Sequence, residues 1–347
     1  MNGPLDTPRI AINGFGRIGR SVFRILSQRK DVEVVAINDL TDYRTLAYLC
    51  RYDTVHGPYP GPVSLYDGRL TAGSQQPRLF SESDPHELPW AQLKVDVVIE
   101  ATGVFRKRNE IARHLDAGAG RVILTVPAKD SIDATIVLGV NDQDLRPEHR
   151  LISNASCTTN CLAPVAKVLN DKFGIVKGYI TTVHAYTNDQ RLADVAHKDL
   201  RRSRAANENI IPTTTGAARA VGSVLPELQG KLDGIAMRVP VPDGSIVDLA
   251  VELETDATAE QINGAMQQAA ESPLLRSVLE YTEEPIVSSD VIQNSHSAIF
   301  DSQATRVIGG NFAKVLAWYD NEWGYASRVA DMVHRLASLQ LPQTATA

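Results

Sequence analysis

The group best placed for covalent chemistry is a cysteine set among hydroxyls and amides. Cys157 lies in Ser153-Asn154-Ala155-Ser156-Cys157-Thr158-Thr159-Asn160-Cys161, after the strand-like run Arg150-Leu151-Ile152. A helical pattern opens there, with Leu162, Val165, Ala166 and Leu169 at i, i+3, i+4 and i+7. Cys157 therefore falls at or near the first turn of a helix, where unpaired N–H groups and the positive end of the dipole favour an anion. A thiol in that position ionises more readily, and the thiolate is the nucleophile. The competing reading is a small, inert core residue.

A second chemical signature stands near the N-terminus. Arg9-Ile10-Ala11-Ile12-Asn13 reads as a strand, Gly14-Phe15-Gly16-Arg17-Ile18-Gly19 follows at once, and a helical pattern runs through Val22, Phe23, Ile25 and Leu26. Strand, glycine turn and helix in that order form a dinucleotide cradle: the glycines allow a tight turn and a close approach of backbone to pyrophosphate. The next strand, Val32 to Asn38, ends in Asp39, twenty residues after Gly19. A carboxylate at that separation binds the adenosine ribose and repels a 2′-phosphate, which favours NAD over NADP. Its alternative role is a turn or helix-cap residue. Arg238 sits inside the apolar run Ile235 to Pro242 and needs an anionic partner, either a structural salt bridge or a bound ligand. Thr213-Thr214-Thr215-Gly216, ahead of an alanine-rich helix, makes a second anion site plausible.

These residues need elements to hold them. Strand-like runs at Val95–Glu100, Arg121–Thr125, Thr135–Val140 and Arg150–Ser153 follow the first two, with a helical stretch over Asn109 to Ala117. Near-continuous apolar strands alternating with helices imply a doubly wound parallel sheet. Ligands in such sheets bind beyond the carboxyl ends of the strands, which makes Thr102, Gly103 and Thr125 candidate cofactor contacts and puts Cys157 beside the same crevice. Val63 to Leu70, with Asp67-Gly68 at its centre, reads as an inserted hairpin. In the second half, Gly178 to His184, Ile246 to Leu253 and Val315 to Asp320 read as strands. Thr258 to Ser272 reads as a helix with a capping box, and Ser327 to Leu339 as a last helix. A long basic loop with Arg201, Arg202 and Arg204 lies between, and loops of that length are more often functional than not.

Composition sets the limits. At 347 residues the chain is long for one core. The net charge of −6 argues against nucleic acid as a main partner. No apolar run reaches the ~18 to 20 residues that span a bilayer. Met1 to Pro8 shows no signal-peptide pattern, and three cysteines, Cys50, Cys157 and Cys161, form no paired framework. A reducing, cytoplasmic setting is expected. Cys50 reads as core. Without a further Cys/His cluster beside Cys157 and Cys161, no metal site is expected.

Taken together, Ile12-Asn13-Gly14-Phe15-Gly16-Arg17-Ile18-Gly19-Arg20, Ser153 to Cys161, Thr181-Thr182-Val183-His184, Ile210 to Gly216, and Trp318 to Tyr325 resemble phosphorylating glyceraldehyde-3-phosphate dehydrogenases over essentially the whole chain. The resemblance implies a Rossmann-type NAD-binding domain over 1–156, joined by a C-terminal helix at about 322–347. It implies an α+β catalytic domain with a mostly antiparallel sheet over 157–321. It implies that Cys157 is the nucleophile and His184 its base. Asn13, Gly14, Gly16, Arg17, Ile18, Gly19, Asp39, Thr102, Gly103, Thr125, Asn321 and Tyr325 are then expected on the cofactor, with Asn321 on the nicotinamide carboxamide. Thr187 and Arg238 are expected on the substrate phosphate of D-glyceraldehyde 3-phosphate. Ser156, Thr158, Arg202, Thr215 and Gly216 are expected on inorganic phosphate. A homotetramer is implied, with the basic loop reaching a neighbouring subunit.

Three departures from the family pattern stand out. Val241-Pro242-Asp243-Gly244-Ser245 replaces a common Asn-Val before the serine. Ser83 stands where a basic residue beside adenine is common, and Thr125-Val126-Pro127 where serine-alanine-proline is common. The nearest rival reading is erythrose-4-phosphate dehydrogenase, against which the Thr215-Gly216 pair speaks. A rival of another class is a non-catalytic dinucleotide-binding protein, against which Cys157, His184, Arg238 and Thr187 together speak.

Overall fold

A computed structural model describes residues 7–339, which fall into two units. The first comprises 7–136, 143–155 and 326–339, and the second 137–142 and 156–325.

In the first unit, β1 (Arg9–Asn13), α1 (Arg17–Leu26), β2 (Glu33–Asn38) and α2 (Tyr43–Arg51) open the fold. The antiparallel strands β3 (Val63–Tyr66) and β4 (Arg69–Ala72) follow, then β5 (Arg78–Phe80) and β6 (Val97–Glu100). The short helices α3 (Arg108–Ile111) and α4 (Arg113–Asp116) lead to β7 (Arg121–Leu124), β8 (Ala134–Thr135) and β9 (Leu151–Ser153). The sheet order is β3-β4-β5-β2-β1-β6-β7-β9-β8, parallel from β5 to β8. Strand order reverses beside β1, as a doubly wound sheet requires. Val98, Val122, Leu124, Trp90 and Ile111 share one core with Ala11 and Ala36. Each such fully buried side chain contributes roughly 1.5–3 kcal/mol. The Asp67-Gly68 turn has positive φ at both residues (47° and 68°), matching the twist of the hairpin it joins.

Two expectations on this unit need correction. The strand expected over Thr135–Val140 stops at Thr135. Beyond it Asn141 Oδ1 accepts from Val137 N–H, Asp142 Oδ1 accepts from Gly139 N–H, and Gly139 turns at φ +77°, so side chains take the bonds a ladder needs. The helix expected over Asn109 to Ala117 is divided at Ala112 into α3 and α4.

The second unit carries α5 (Cys157–Phe173), β10 (Ile175–Ala185), β11 (Ile211–Thr214), α6 (Ala217–Val224), β12 (Leu232–Val239), β13 (Ser245–Leu253), α7 (Ala259–Glu271), β14 (Leu279–Thr282), β15 (Ala298–Ile308) and β16 (Phe312–Tyr319). Its sheet runs β11-β12-β10-β13-β16-β15-β14 and is mixed: β10 pairs parallel with β12, and β14 with β15, while the other neighbours are antiparallel. The register puts His184 opposite Arg238. Thr258 and Gln261 form the expected capping box at the start of α7.

The last helix, α8, spans Trp323–Ala337, one turn earlier than the pattern suggested. Arg121 Nη1 donates to the carbonyls of Leu336 and Leu339, both at 2.8 Å, and so closes the helix end with a cation. Residues 340–347 of the expected 322–347 segment, including the polar tail Gln343 to Ala347, lie outside the described residues. So does most of Met1 to Pro8. Among the described residues no helix is long and apolar enough to cross a membrane.

Gly14 and Gly16 offer a contrast that tests the turn. Gly14 has φ +93°, and a Cβ there would stand 2.6 Å from Thr102 N, a backbone atom; at Gly16 a Cβ would meet nothing within 4 Å. Gly14→Ala is expected to cost about 2 kcal/mol or more, from the left-handed φ and the clash. Gly16→Ala is expected to cost about 0.5 kcal/mol or less. Urea denaturation followed by fluorescence checks the order; equal losses would mean the turn relaxes freely.

Candidate active site

Ser156 is the N-cap of α5: its backbone is extended and its Oγ accepts from Thr159 N–H at 3.1 Å. Cys157 is thus the first residue of the helix, as its sequence position suggested, and its thiol is half-buried. The parallel neighbours β10 and β12 bring His184 and Arg238 to the same place. His184 Nε2 lies 3.6 Å from Cys157 Sγ. Tyr319, on β16, packs edge-on to the His184 ring, and its hydroxyl bonds both Thr158 Oγ1 (2.8 Å) and Thr182 Oγ1 (2.9 Å). Helix start and sheet are tied through one phenol.

The other face of the imidazole is held twice. Nδ1 is 2.7 Å from the Ala185 carbonyl and 2.7 Å from Arg238 Nη1, which also donates to that carbonyl at 3.0 Å. With Nδ1–H donating to Ala185, Nε2 faces the sulfur as an acceptor. With Arg238 donating to Nδ1, Nε2 carries the hydrogen and faces the sulfur as a donor. The two tautomers match the two protonation states of the thiol.

Electrostatics separate the pair from ordinary solution behaviour. Burial pushes the Cys157 thiol above its usual value, against the pull of the Arg238 guanidinium and the Thr158 hydrogen bonds. Burial and then the Arg238 charge push His184 down to about 3. Each group alone therefore prefers its neutral form at pH 7. This differs from the expectation of a thiol acidified by its helix position: the loss of water on burial raises it instead. A charge arises here by moving the proton from Sγ to Nε2, where each new charge steadies the other across 3.6 Å.

Among the described residues Arg238 forms no ion pair, although the Asp189 charge acts on it from further off, and its buried Nε has no hydrogen-bond partner. A structural salt bridge, the bland expectation for it, is absent among the described residues. Thr187 and Arg202 do meet an anion. Asp189 accepts from Thr187 Oγ1 and from Arg202 Nη1, while Arg202 Nε donates to Thr213 Oγ1 at 3.1 Å. Thr215 Oγ1 accepts from Ala217 N–H at the start of α6, where Gly216 is the N-cap. Asn321 Oδ1 accepts from Ser245 Oγ at 2.5 Å, and Ser245 Oγ accepts from Ala185 N–H. Tyr325 is buried, which raises its phenol well above the usual value. Cys161 is fully buried one turn along α5, and burial raises its thiol as well.

In the first unit the glycine turn leaves the start of α1 bare: Gly16 gives no side-chain cap, and no acid lies in the first turn. Asp39 Oδ2 accepts from Phe15 N–H at 2.7 Å and Oδ1 from Thr41 N–H at 2.9 Å, which fixes the carboxylate beside the turn. Arg17 pairs with Asp53 at 2.5 Å, and Ile18 follows it at the helix start. Gly19 packs α1 on the strand, since a Cβ would stand 2.0 Å from the Gly14 carbonyl. Asn13, Thr102 and Gly103 lie at or just after the strand ends around Gly14, and Thr125 donates from both N and Oγ1 to the Glu100 carbonyl. A bare helix N-terminus approached by backbone alone, with a fixed carboxylate beside it, fits a dinucleotide.

Sequence reasoning missed Tyr319, Ser245 and Asp189 as site residues. Inward alternation on β16 and the spacing Thr187-Asn188-Asp189 were the available signals. The departure at Asp243-Gly244 has a local cause: Gly244 has φ +83°, and a Cβ there would stand 2.1 Å from the Ser288 carbonyl.

Two family models match the chain, one described as the NAD binding domain of glyceraldehyde 3-phosphate dehydrogenase, over residues 8–108, and one as its C-terminal domain, over 156–321. The chain is 57% identical to the glyceraldehyde-3-phosphate dehydrogenase of Borreliella burgdorferi, covering 94% of this chain and 99% of that protein. It is 54% identical to that of Geobacillus stearothermophilus, with 95% and 98% covered. It is 56% identical to that of Thermotoga maritima, with 95% and 99% covered.

The neutral imidazole is open to test. As pH falls from about 6.5 toward 3 the folded protein refuses a proton that the unfolded chain accepts, so His184 favours folding above that window and loses the effect within it. At pH 7 it is therefore a vacant base. His184→Asn removes that base and leaves a thiol held up by burial, so iodoacetamide alkylation of Cys157 is expected to slow markedly at pH 7 and to recover only at higher pH. An unchanged rate would mean that the thiol ionises without the imidazole.

Proposed function

This chain belongs to the glyceraldehyde-3-phosphate dehydrogenase family, and on that premise we propose that it oxidises D-glyceraldehyde 3-phosphate to 1,3-bisphosphoglycerate, reversibly, with NAD and inorganic phosphate. The observation that carries the proposal is the 3.6 Å pairing of Cys157 Sγ with His184 Nε2, backed by a guanidinium whose buried Nε has no hydrogen-bond partner.

Cys157 attacks the aldehyde carbon as His184 takes the thiol proton and passes it to the carbonyl oxygen, which becomes the hydroxyl of a thiohemiacetal and leaves the imidazole neutral again. His184 then draws off the hydroxyl proton, which lets the C–H electron pair leave the carbon. Bound NAD supplies the acceptor for that hydride. What remains on Cys157 is a thioester. A phosphate oxygen attacks its carbonyl, the C–S bond breaks, and the sulfur regains a proton, so the acyl phosphate departs and the thiol is restored. Positioned acid–base help of this kind is worth about 10²- to 10⁴-fold.

The remaining roles are assigned on the same reading. Arg238 and Thr187 hold the substrate phosphate, the vacant Nε of Arg238 being the supporting feature. Ser156, Thr158, Arg202, Thr215 and Gly216 hold inorganic phosphate. Asn13, Gly14, Gly16, Arg17, Ile18, Gly19, Asp39, Thr102, Gly103 and Thr125 hold NAD, with Asn321 and Tyr325 at its nicotinamide end. Residues 1–156 with 322–347 serve as the cofactor domain and 157–321 as the catalytic domain. The protein works as a cytoplasmic homotetramer in glycolysis and gluconeogenesis.

Three arms of one assay test this. NADH formation from glyceraldehyde 3-phosphate is expected to continue only when inorganic phosphate is supplied. Cys157→Ser is expected to abolish it while NAD still binds, and NADP is expected to serve about tenfold worse or less well still, since Asp39 repels its extra phosphate. Faster turnover of erythrose 4-phosphate would shift the assignment to that substrate, and full activity in Cys157→Ser would remove the sulfur from the mechanism.

A further inference from the structure

We infer that Glu100, which touches neither cofactor nor substrate in the reading above, is the positioning residue that sets NAD affinity. The inference rests on the proposal that the glycine turn and Thr102-Gly103 hold the cofactor.

Glu100 closes an otherwise apolar strand, and it has no exposed surface. A carboxylate taken out of water must be repaid by hydrogen bonds. Here three of the four come from segments that border the turn, and the fourth from His114 on α4. Oε2 accepts from Asn13 Nδ2 at 2.6 Å and from His114 Nε2 at 3.0 Å. Oε1 accepts from Thr102 N–H at 2.9 Å and from Thr102 Oγ1–H. The direction of the His114 bond is fixed by its other nitrogen. Trp90 Nε1, which can only donate, bonds Nδ1 at 3.0 Å, so Nε2 carries the hydrogen and gives it to Glu100. Asn13 is oriented in turn, because its amide donates to Glu100 and its Oδ1 accepts from Asn38 Nδ2 at 2.7 Å. Asn38 Oδ1 then accepts from Glu82 N–H at 2.8 Å. One carboxylate thus pins the carboxyl ends of β2, β1 and β6, neighbours in the sheet. The segments that leave those ends are Asp39, the Gly14 turn and Thr102-Gly103. The gap is narrow as well: Thr102 N, held by Glu100, is the atom a Cβ at Gly14 would strike.

A neutral amide of the same shape cannot serve. In Glu100→Gln the oxygen can stay with Asn13 and His114, both donors. The new NH2 group then faces Thr102 N–H, a donor that cannot turn away. Reversing the amide sets it against two donors instead. The Thr102-Gly103 segment is released while the apolar core keeps its shape.

The test is NAD binding and steady-state kinetics on the full chain. Glu100→Gln is expected to raise the Kd and KM for NAD about tenfold or more, with kcat at saturating NAD within about twofold of the parent and Cys157 alkylation unchanged. His114→Phe, which removes one donor only and lies outside the proposed cofactor set, is expected to raise Kd about threefold and serves if Glu100→Gln does not fold. Asp39→Asn is run beside them. An unchanged NAD Kd in Glu100→Gln, or in His114→Phe where the first variant is insoluble, while Asp39→Asn weakens binding, overturns the inference and spares the cofactor reading. An unchanged Kd in all variants overturns both. A fall in kcat together with slowed Cys157 alkylation also overturns it, since Glu100 would then act on the structure at large.

Discussion

A half-buried guanidinium pressed against a buried imidazole sets the charge state of the candidate site. Arg238 Nη1 sits 2.7 Å from His184 Nδ1, and burial with that charge outweighs the opposing pull of Asp189, so a second positive charge on the ring is opposed. The imidazole is kept neutral and its far nitrogen is kept for the sulfur. The same guanidinium favours negative charge nearby, as on the thiol when it gives up its proton. Parallel pairing of β10 with β12 makes the contact automatic, because His184 and Arg238 are register partners.

The first unit solves a comparable problem with the opposite charge. There a fully buried carboxylate, Glu100, is steadied by four donors rather than by a counter-ion. Both sites bury a charge, and both use the cost of leaving it unpaired to fix the position of the groups around it. Specific geometry follows because alternative placements strand a donor or an acceptor.

Much of this was legible in the sequence where local rules decide. The glycine turn, the helix start at Cys157 and the capping box of α7 are signals within a few residues of one another, and the structure places each element as expected. The strand over Thr135–Val140 was misread because apolar residues there serve a side-chain-capped turn, which periodicity cannot distinguish from a strand. Partners set by register were out of reach. Nothing local says that His184 faces Arg238, that Tyr319 bridges Thr158 and Thr182, or that Asp189 meets both Thr187 and Arg202. Glu100 left one trace, a lone acid at the end of an apolar strand. The acidity of Cys157 was misjudged for a related reason: helix position is visible in sequence, whereas burial is a property of the packed fold.

The central claim is that burial and Arg238, not the sulfur, keep His184 uncharged. The direct measurement is a pH titration of the His184 ring by carbon or nitrogen NMR in the Cys157→Ala protein, where no thiol can share the proton. The account predicts a ring that stays neutral from pH 8 down to about 4.5. A midpoint at or above the ordinary histidine value of about 6.5 would contradict it.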